Sequence, residues 1–226
     1  MKNEISLAFD FLDPWGWVAE RRLMLAMRKA GVDAPITYLP CRTSLSRRSV
    51  GRHFADYQQL RFGSQAKIHE NRLIAEASSL GLTLGLLNVQ KIPDPWFAMI
   101  ALRNEHRHPS ALFNAIYAAI FRDGHDIGNV DVLAELLRSE SAETTVPVLL
   151  SSRGLAGEVI KCEQEVALWS HNLTPCIRIG EAIVTGAQPP SILERLLLRP
   201  APATAMTSNG ACISDKSCVT RNIVER

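Results

Sequence analysis

The first forty residues constrain the fold more than any other part of the chain, because they spell out a strand, a helix and a second strand. Ile5, Leu7, Phe9 and Phe11 alternate with Ser6, Ala8 and Asp10, the period-two pattern of a strand. Asp13-Pro14 follows at once. Asp is a good N-cap, and Pro has its φ preset for a first helical turn. A helix is expected from about Trp15 to Ala30, with Val18, Leu23, Leu25, Ala26 and Met27 apolar and Gly31 ending it. Pro35 to Leu39 reads as a second short strand closed by Pro40. Such a unit crosses over right-handed and leaves its two strands parallel.

From Cys41 to about Glu140 the pattern is helical or loop-like. Thr43 to Arg52 is polar and basic and reads as an exposed loop. Phe54 to Gly81 is helical with a break at Gly63, and Leu82 to Pro95 is a loop. Trp96 to Glu105 is a helix. Ser110 is the expected N-cap of a helix from Ala111 to Arg122, and Asn129 that of one from Val130 to Arg138. Val146 to His171 is helical again, with breaks expected at Gly154 and Gly157. Then come a strand at Cys176 to Ile179, a two-residue turn at Gly180-Glu181, and a strand at Ala182 to Thr185. A last amphipathic helix covers Ser191 to Leu198. Residues 200–226, rich in Ala, Pro, Thr and Ser, read as a mobile tail. The plan is β-α-β, a long helical stretch, then α-β-β-α, which predicts an α/β fold: a small mixed sheet with helices on both faces. Residues 1–41 and 146–199 would form one unit, with 42–145 a helical insertion.

Composition narrows the function classes. The formal net charge of +2 is too small to imply a nucleic-acid partner or an acidic membrane surface. No apolar run approaches the roughly 20 residues that span a bilayer. The N-terminus lacks the apolar core of a secretory signal, so the cytoplasm is the expected location. The five cysteines (Cys41, Cys162, Cys176, Cys212, Cys218) are odd in number and widely spread. In a reducing compartment they read as free thiols. No histidine spacing suits a metal, and no Gly-rich phosphate loop is present.

The run Phe9-Asp10-Phe11-Leu12-Asp13-Pro14-Trp15-Gly16-Trp17, with Arg21-Arg22-Leu23 after it, resembles the start of DsbA-type thioredoxin domains of the FrnE group. It is also similar to kappa-class glutathione transferase and 2-hydroxychromene-2-carboxylate isomerase. Pro93-Asp94-Pro95, the stretch from Leu112-Phe113 through Phe121 to Ile127, Thr174-Pro175, and Thr185-Gly186-Ala187-Gln188-Pro189 extend the resemblance over about residues 5 to 198. The resemblance implies a thioredoxin-like fold with a large helical insertion, a cis bond at Thr174-Pro175, and a homodimer. It also exposes a departure. The Cys-x-x-Cys of redox members is here Asp13-Pro14-Trp15-Gly16. Disulfide exchange needs a thiolate that attacks sulfur, and neither a carboxylate nor a glycine supplies one.

The resemblance therefore implies a non-redox enzyme acting on a small aromatic or polyketide-like molecule by isomerisation, elimination or cyclisation, in secondary metabolism. Asp13 is the candidate acid/base or orienting carboxylate; a helix N-terminus favours negative charge by about 0.3–1 kcal/mol, which helps an electrostatic role and weakens one as a neutral-pH base. The competing reading of Asp13 is a helix cap alone. Trp15, Trp17 and Trp96 are candidate pocket walls, with Tyr57 and Phe97 beside them, or simply core. Thr174, Pro175 and Cys176 are candidate ligand contacts. Arg42, Arg47, Arg48 and Arg52 are either a solvated loop or an anion-binding lid. Cys41 and Cys176, on strands either side of the first, should lie roughly 10 Å apart, too far for a disulfide. No cofactor is expected, with glutathione the alternative. Three other readings stay open: a glutathione-dependent isomerase or transferase, a catalytically dead binding module, and a residual thiol oxidoreductase that uses Cys41, Cys176 or the tail cysteines.

Overall fold

A computed structural model describes residues 4–171 and 173–199. The tail reading for 200–226, with Cys212 and Cys218, lies outside the described residues.

Strand β1 (Ile5–Phe9) pairs in parallel with β2 (Ile36–Pro40), and helix α1 (Trp15–Ala30) connects them. Gly31 ends α1 in the left-handed conformation, with φ of 62°, as its lack of a Cβ permits. β3 (Cys176–Ile179) pairs antiparallel with β1 on its other side, and β4 (Ala182–Thr185) returns along β3 through the turn at Gly180. The sheet order is β2-β1-β3-β4. Thr174-Pro175, just before β3, is a cis bond.

The alternation in β1 does not mark one wet face. Ser6, Ala8 and Asp10 are as buried as Ile5, Leu7 and Phe9. Both faces of β1 are covered. Ile5, Leu7 and Phe9 join the main core with α1 residues Val18, Leu23 and Ala26. Ala8 belongs to a second cluster with Leu39, Cys41, Cys162, Val166 and Cys176. Cys162 and Val166 come from α9 (Arg153–Ser170), which packs along that face. The final helix, α10 (Pro190–Leu197), lies against α1.

The chain between β2 and α9 carries α2 (Ser44–Ser49), α3 (Phe54–Phe62), α4 (Ala66–Ser79), α5 (Trp96–Arg103), α6 (Pro109–Phe121), α7 (Val130–Ser139) and α8 (Val146–Ser151). Three expectations are corrected here. Thr43 to Arg52 is not a loop: Thr43 Oγ1 accepts the Ser46 amide at 3.1 Å and starts α2, whose Ser46 and Ser49 are buried. Ser110 does not cap α6 but sits within it, and its hydroxyl donates instead to Glu20 at 3.0 Å. The break after Val146 falls at Ser152, whose hydroxyl caps α9 through the Leu155 amide, and Gly154 and Gly157 lie inside the helix.

An aromatic cluster ties the helical stretch to the sheet. Phe9 meets Phe113 at a centroid distance of 4.8 Å, and Phe113 meets Tyr38 at 4.9 Å and Tyr117 at 4.7 Å. Beneath it the Glu20 carboxylate, nearly fully buried, accepts hydrogen bonds from Tyr38, Ser110 and Asn114. Burial pushes its pKa up, and the three hydrogen bonds only partly oppose this. The folded state therefore holds a proton on Glu20 at pH values where the unfolded chain has released it. Stability from this group is full below the unfolded value near 4.5 and declines as pH rises towards the folded one. Glu20→Gln keeps the acceptor and removes the buried charge. We expect this variant to gain about 1 kcal/mol at neutral pH and to lose that downward slope, as read by denaturant titrations between pH 4 and 8.

Candidate functional site

The start of α1, α3, α4, the cis-proline step and the segment 186–189 enclose a cleft of about 440 Å³. The sharp turn Asp10-Phe11-Leu12-Asp13 positions its floor. Asp10, 1% exposed, accepts the Leu12 amide at 3.0 Å through one carboxylate oxygen and the Thr43 amide at 2.9 Å through the other. Burial raises its pKa, with the Ser46, Thr43 and Leu12 hydrogen bonds opposing. The Asp13 amide then donates to the Asp10 carbonyl at 2.9 Å, closing the turn.

Asp13 is 2% exposed and its carboxylate is fully engaged. One oxygen accepts the Trp15 amide at 3.1 Å, which satisfies an otherwise unpaired donor at the helix start. The other accepts Arg61 Nη2 at 2.6 Å. Burial works against the charge on Arg61, but the Asp13 carboxylate outweighs it and the guanidinium pKa is raised. Arg61 Nη1 is buried without a hydrogen bond, and the Tyr57 hydroxyl lies near the same guanidinium. The N-cap of α1 is Pro14 rather than the expected Asp13, which precedes it, accepts the Trp15 amide and partners a cleft-lining arginine.

Aromatic and cationic groups form the walls. The Arg61 guanidinium carbon lies 4.9 Å from the Phe62 ring centroid, and the His69 ring stacks on Phe62 at 4.2 Å with an interplanar angle of 17°. Arg72 is exposed and sits 5.8 Å from the Trp15 ring centroid. Arg22 is paired with Glu76 and donates to the Ala187 carbonyl. Among the described residues the lining holds three arginines against two carboxylates, a surplus of positive charge that suits an anion.

The structure brings together Asp13, Trp15, Thr174 and Pro175 among the residues singled out from sequence. It separates the other three. Trp17 faces away from the cleft into a groove of about 960 Å³ beside α6 and α7, and its indole donates to Asn114 at 2.8 Å. Trp96 lies under the Arg42 guanidinium, 4.3 Å from its ring centroid. Cys176 is fully buried in the cluster beneath α9. Tyr57 is core. Arg42 and Arg47 form no lid: both pair with Glu163, at 2.9 and 2.7 Å.

Cys41, Cys162 and Cys176 are free and buried. Burial pushes the Cys41 thiol well up, Cys162 up to about 12 and Cys176 up to about 11, so none is a ready thiolate at neutral pH. Among the described residues, no group of three or more His, Cys, Asp or Glu is placed to hold a metal ion, and no helix is long and apolar enough to cross a membrane.

Sequence reasoning missed Arg61, Phe62, His69 and Arg72. They sit on the helical stretch some fifty residues from Asp13, and no local spacing ties them to it.

This architecture is the DsbA-like thioredoxin fold. A probable DsbA oxidoreductase from Streptomyces coelicolor is similar over 86% of this chain and 88% of its own, with a TM-score of 0.72 and 21% identity. A 2-hydroxychromene-2-carboxylate isomerase is similar over 84% of this chain and 92% of its own, with a TM-score of 0.63 and 17% identity. The cytosolic disulfide reductase DsbM from Pseudomonas aeruginosa, also solved with GSH, is similar over 86% and 96%, with a TM-score of 0.57 and 15% identity. No family model matches the chain, and no curated protein matches it by sequence.

Proposed function

We propose that this protein is a non-redox enzyme of the DsbA-like fold that binds a small aromatic carboxylate in the cleft beside Pro175 and isomerises it. The observation that carries this reading is the cleft itself. Where dithiol chemistry would need sulfur, the helix start presents Asp13 locked to Arg61, next to Arg72, Trp15 and Phe62. Arginine forks suit carboxylates, and the aromatic rings suit the apolar body of such a ligand. A volume of about 440 Å³ lies in the range of small-ligand sites. The likeness to 2-hydroxychromene-2-carboxylate isomerase supports the substrate class. The raised thiol pKa values of the buried cysteines argue against thiol catalysis. A reducing compartment, the cytoplasm, fits these free thiols.

The test is calorimetry with phenylpyruvate, an aromatic 2-oxo acid, together with insulin reduction. We expect binding in the micromolar to low millimolar range, weakening at least threefold between 50 and 500 mM salt, and no insulin reduction. Absence of phenylpyruvate binding, or turnover of insulin, overturns the reading.

A second reading keeps glutathione, because that tripeptide carries two carboxylates and a neighbour of the same fold was solved with GSH. On this reading Asp13 supplies no hydroxyl to the glutathione sulfur. Tight glutathione binding with no phenylpyruvate binding would favour this reading over the first.

A further inference from the structure

We propose that His69 is the acid–base residue of this cleft and that Asp13 acts only as a positioning residue for Arg61. The inference rests on the function proposed above and deepens it. Among the described residues, six ionisable groups line the cleft: Asp13, Arg22, Arg61, His69, Arg72 and Glu76. The three arginines never give up a proton in proteins. Asp13 is 2% exposed and spends both oxygens on Trp15 and Arg61. Glu76 is held by Arg22, which is itself tied to the Ala187 carbonyl. His69 remains. Its ring is held by stacking on Phe62, and neither nitrogen hydrogen-bonds to a described residue. Imidazole is also the side chain most often used for proton transfer near neutral pH.

Phe62 joins the parts. It carries the Arg61 guanidinium at 4.9 Å and the His69 ring at 4.2 Å. A ligand carboxylate or carbonyl oxygen drawn to Arg61 would therefore place the neighbouring carbons alongside the imidazole. The other charges on α4 near His69 are Lys67 and Glu70, paired with each other at 2.8 Å.

The step balances without a co-reactant. Neutral imidazole takes a proton from a carbon next to the substrate carbonyl. The pair from the broken C–H bond becomes the C=C of an enolate, and the negative charge moves to the oxygen facing Arg61. The imidazolium then returns the proton to another atom of the conjugated system, which gives an isomer. Arg61 stabilises the charge that develops, and the Asp13 ion pair holds the guanidinium in place for that purpose.

The probe is again phenylpyruvate, whose benzylic proton exchanges with deuterium through its enol. Exchange is followed by proton NMR in deuterated buffer at neutral pH, and binding by calorimetry. The full chain should accelerate exchange over buffer. His69→Gln should bind within threefold of the parent and lose about 10²–10⁴-fold of the exchange rate. Arg61→Lys keeps a charge opposite Asp13 but loses the fork, so it should weaken binding at least fivefold. Parent-like exchange by His69→Gln overturns the role of His69. Binding by the parent protein with no acceleration of exchange also overturns it and leaves the binding reading standing. Absence of binding removes both.

Discussion

The double substitution Asp13→Cys/Gly16→Cys, which places a Cys-x-x-Cys sequence at the start of α1, is expected to give a less stable protein that does not reduce insulin. The obstacle is Tyr117. A Cβ placed on Gly16 would lie 2.1 Å from the Tyr117 hydroxyl oxygen and 3.0 Å from its ring carbon. Tyr117 has no room to retreat. It is fully buried, stacked between Trp17 and Phe121 and tilted against Phe113. Its hydroxyl donates to the Asp10 carbonyl at 2.9 Å, with the Asp13 carbonyl 3.3 Å away. Overpacking a tight core costs about 1–3 kcal/mol. For a chain of this size we expect the thermal midpoint of Gly16→Cys or Gly16→Ala to fall by about 2–12 °C. In a Tyr117→Phe background, which removes the clashing oxygen, the cost of Gly16→Ala should drop by at least half. Unchanged melting of Gly16→Ala would show that the tyrosine moves freely, and the physical block on a second sulfur would be gone. A second cysteine at position 16 would thus need space as well as a sulfur. An aromatic side chain from α6 has taken the space that one of the sulfurs would need.

That occupation marks where sequence reading stops. The β-α-β start, the hairpin at Gly180 and the last helix were all legible, because each is a local pattern of alternation, caps and turn residues. Gly31 ends α1 because it lacks a Cβ, and Asn129 starts α7 through its side-chain oxygen. Asp13, Trp15, Thr174 and Pro175 were traceable to one end of the sheet, because they sit at strand and helix ends that the topology forces together. Tertiary facts were not legible in this way. Thr43 to Arg52 reads as a solvated loop because its charges dominate, yet Arg47, like Arg42 just before the segment, pairs with Glu163, about 120 residues further along the chain. Trp17 looked like a neighbour of Trp15, but two residues along a helix turn a side chain to a different face. His69 and Arg61 carried no sequence signal, since a histidine or arginine on an amphipathic helix is normally solvated. Only the packing of α3 and α4 against the start of α1 brings them to one cleft.

Arg61→Leu should be the most damaging single substitution at the cleft. It removes the guanidinium while leaving Asp13 2% exposed, with one oxygen still on the Trp15 amide and the other facing no partner. Breaking a buried pair in this way costs about 3–5 kcal/mol, and the lower end applies here because Arg61 is itself 22% exposed. Removing the stranded charge should reverse much of the loss. The double variant Asp13→Asn/Arg61→Leu keeps an oxygen for the Trp15 amide and carries no buried charge, so it should recover at least half of the stability lost in Arg61→Leu. Denaturant titrations of the four proteins form a double-mutant cycle, with a coupling of about 1–3 kcal/mol expected. Phenylpyruvate affinity separates stability from function in the same set. If Asp13 serves the ligand only by holding Arg61, the double variant should be stable yet bind phenylpyruvate no better than Arg61→Leu. A stable double variant with parent-like affinity would remove Arg61 from the binding site and reduce the ion pair to a fastener between α3 and α1.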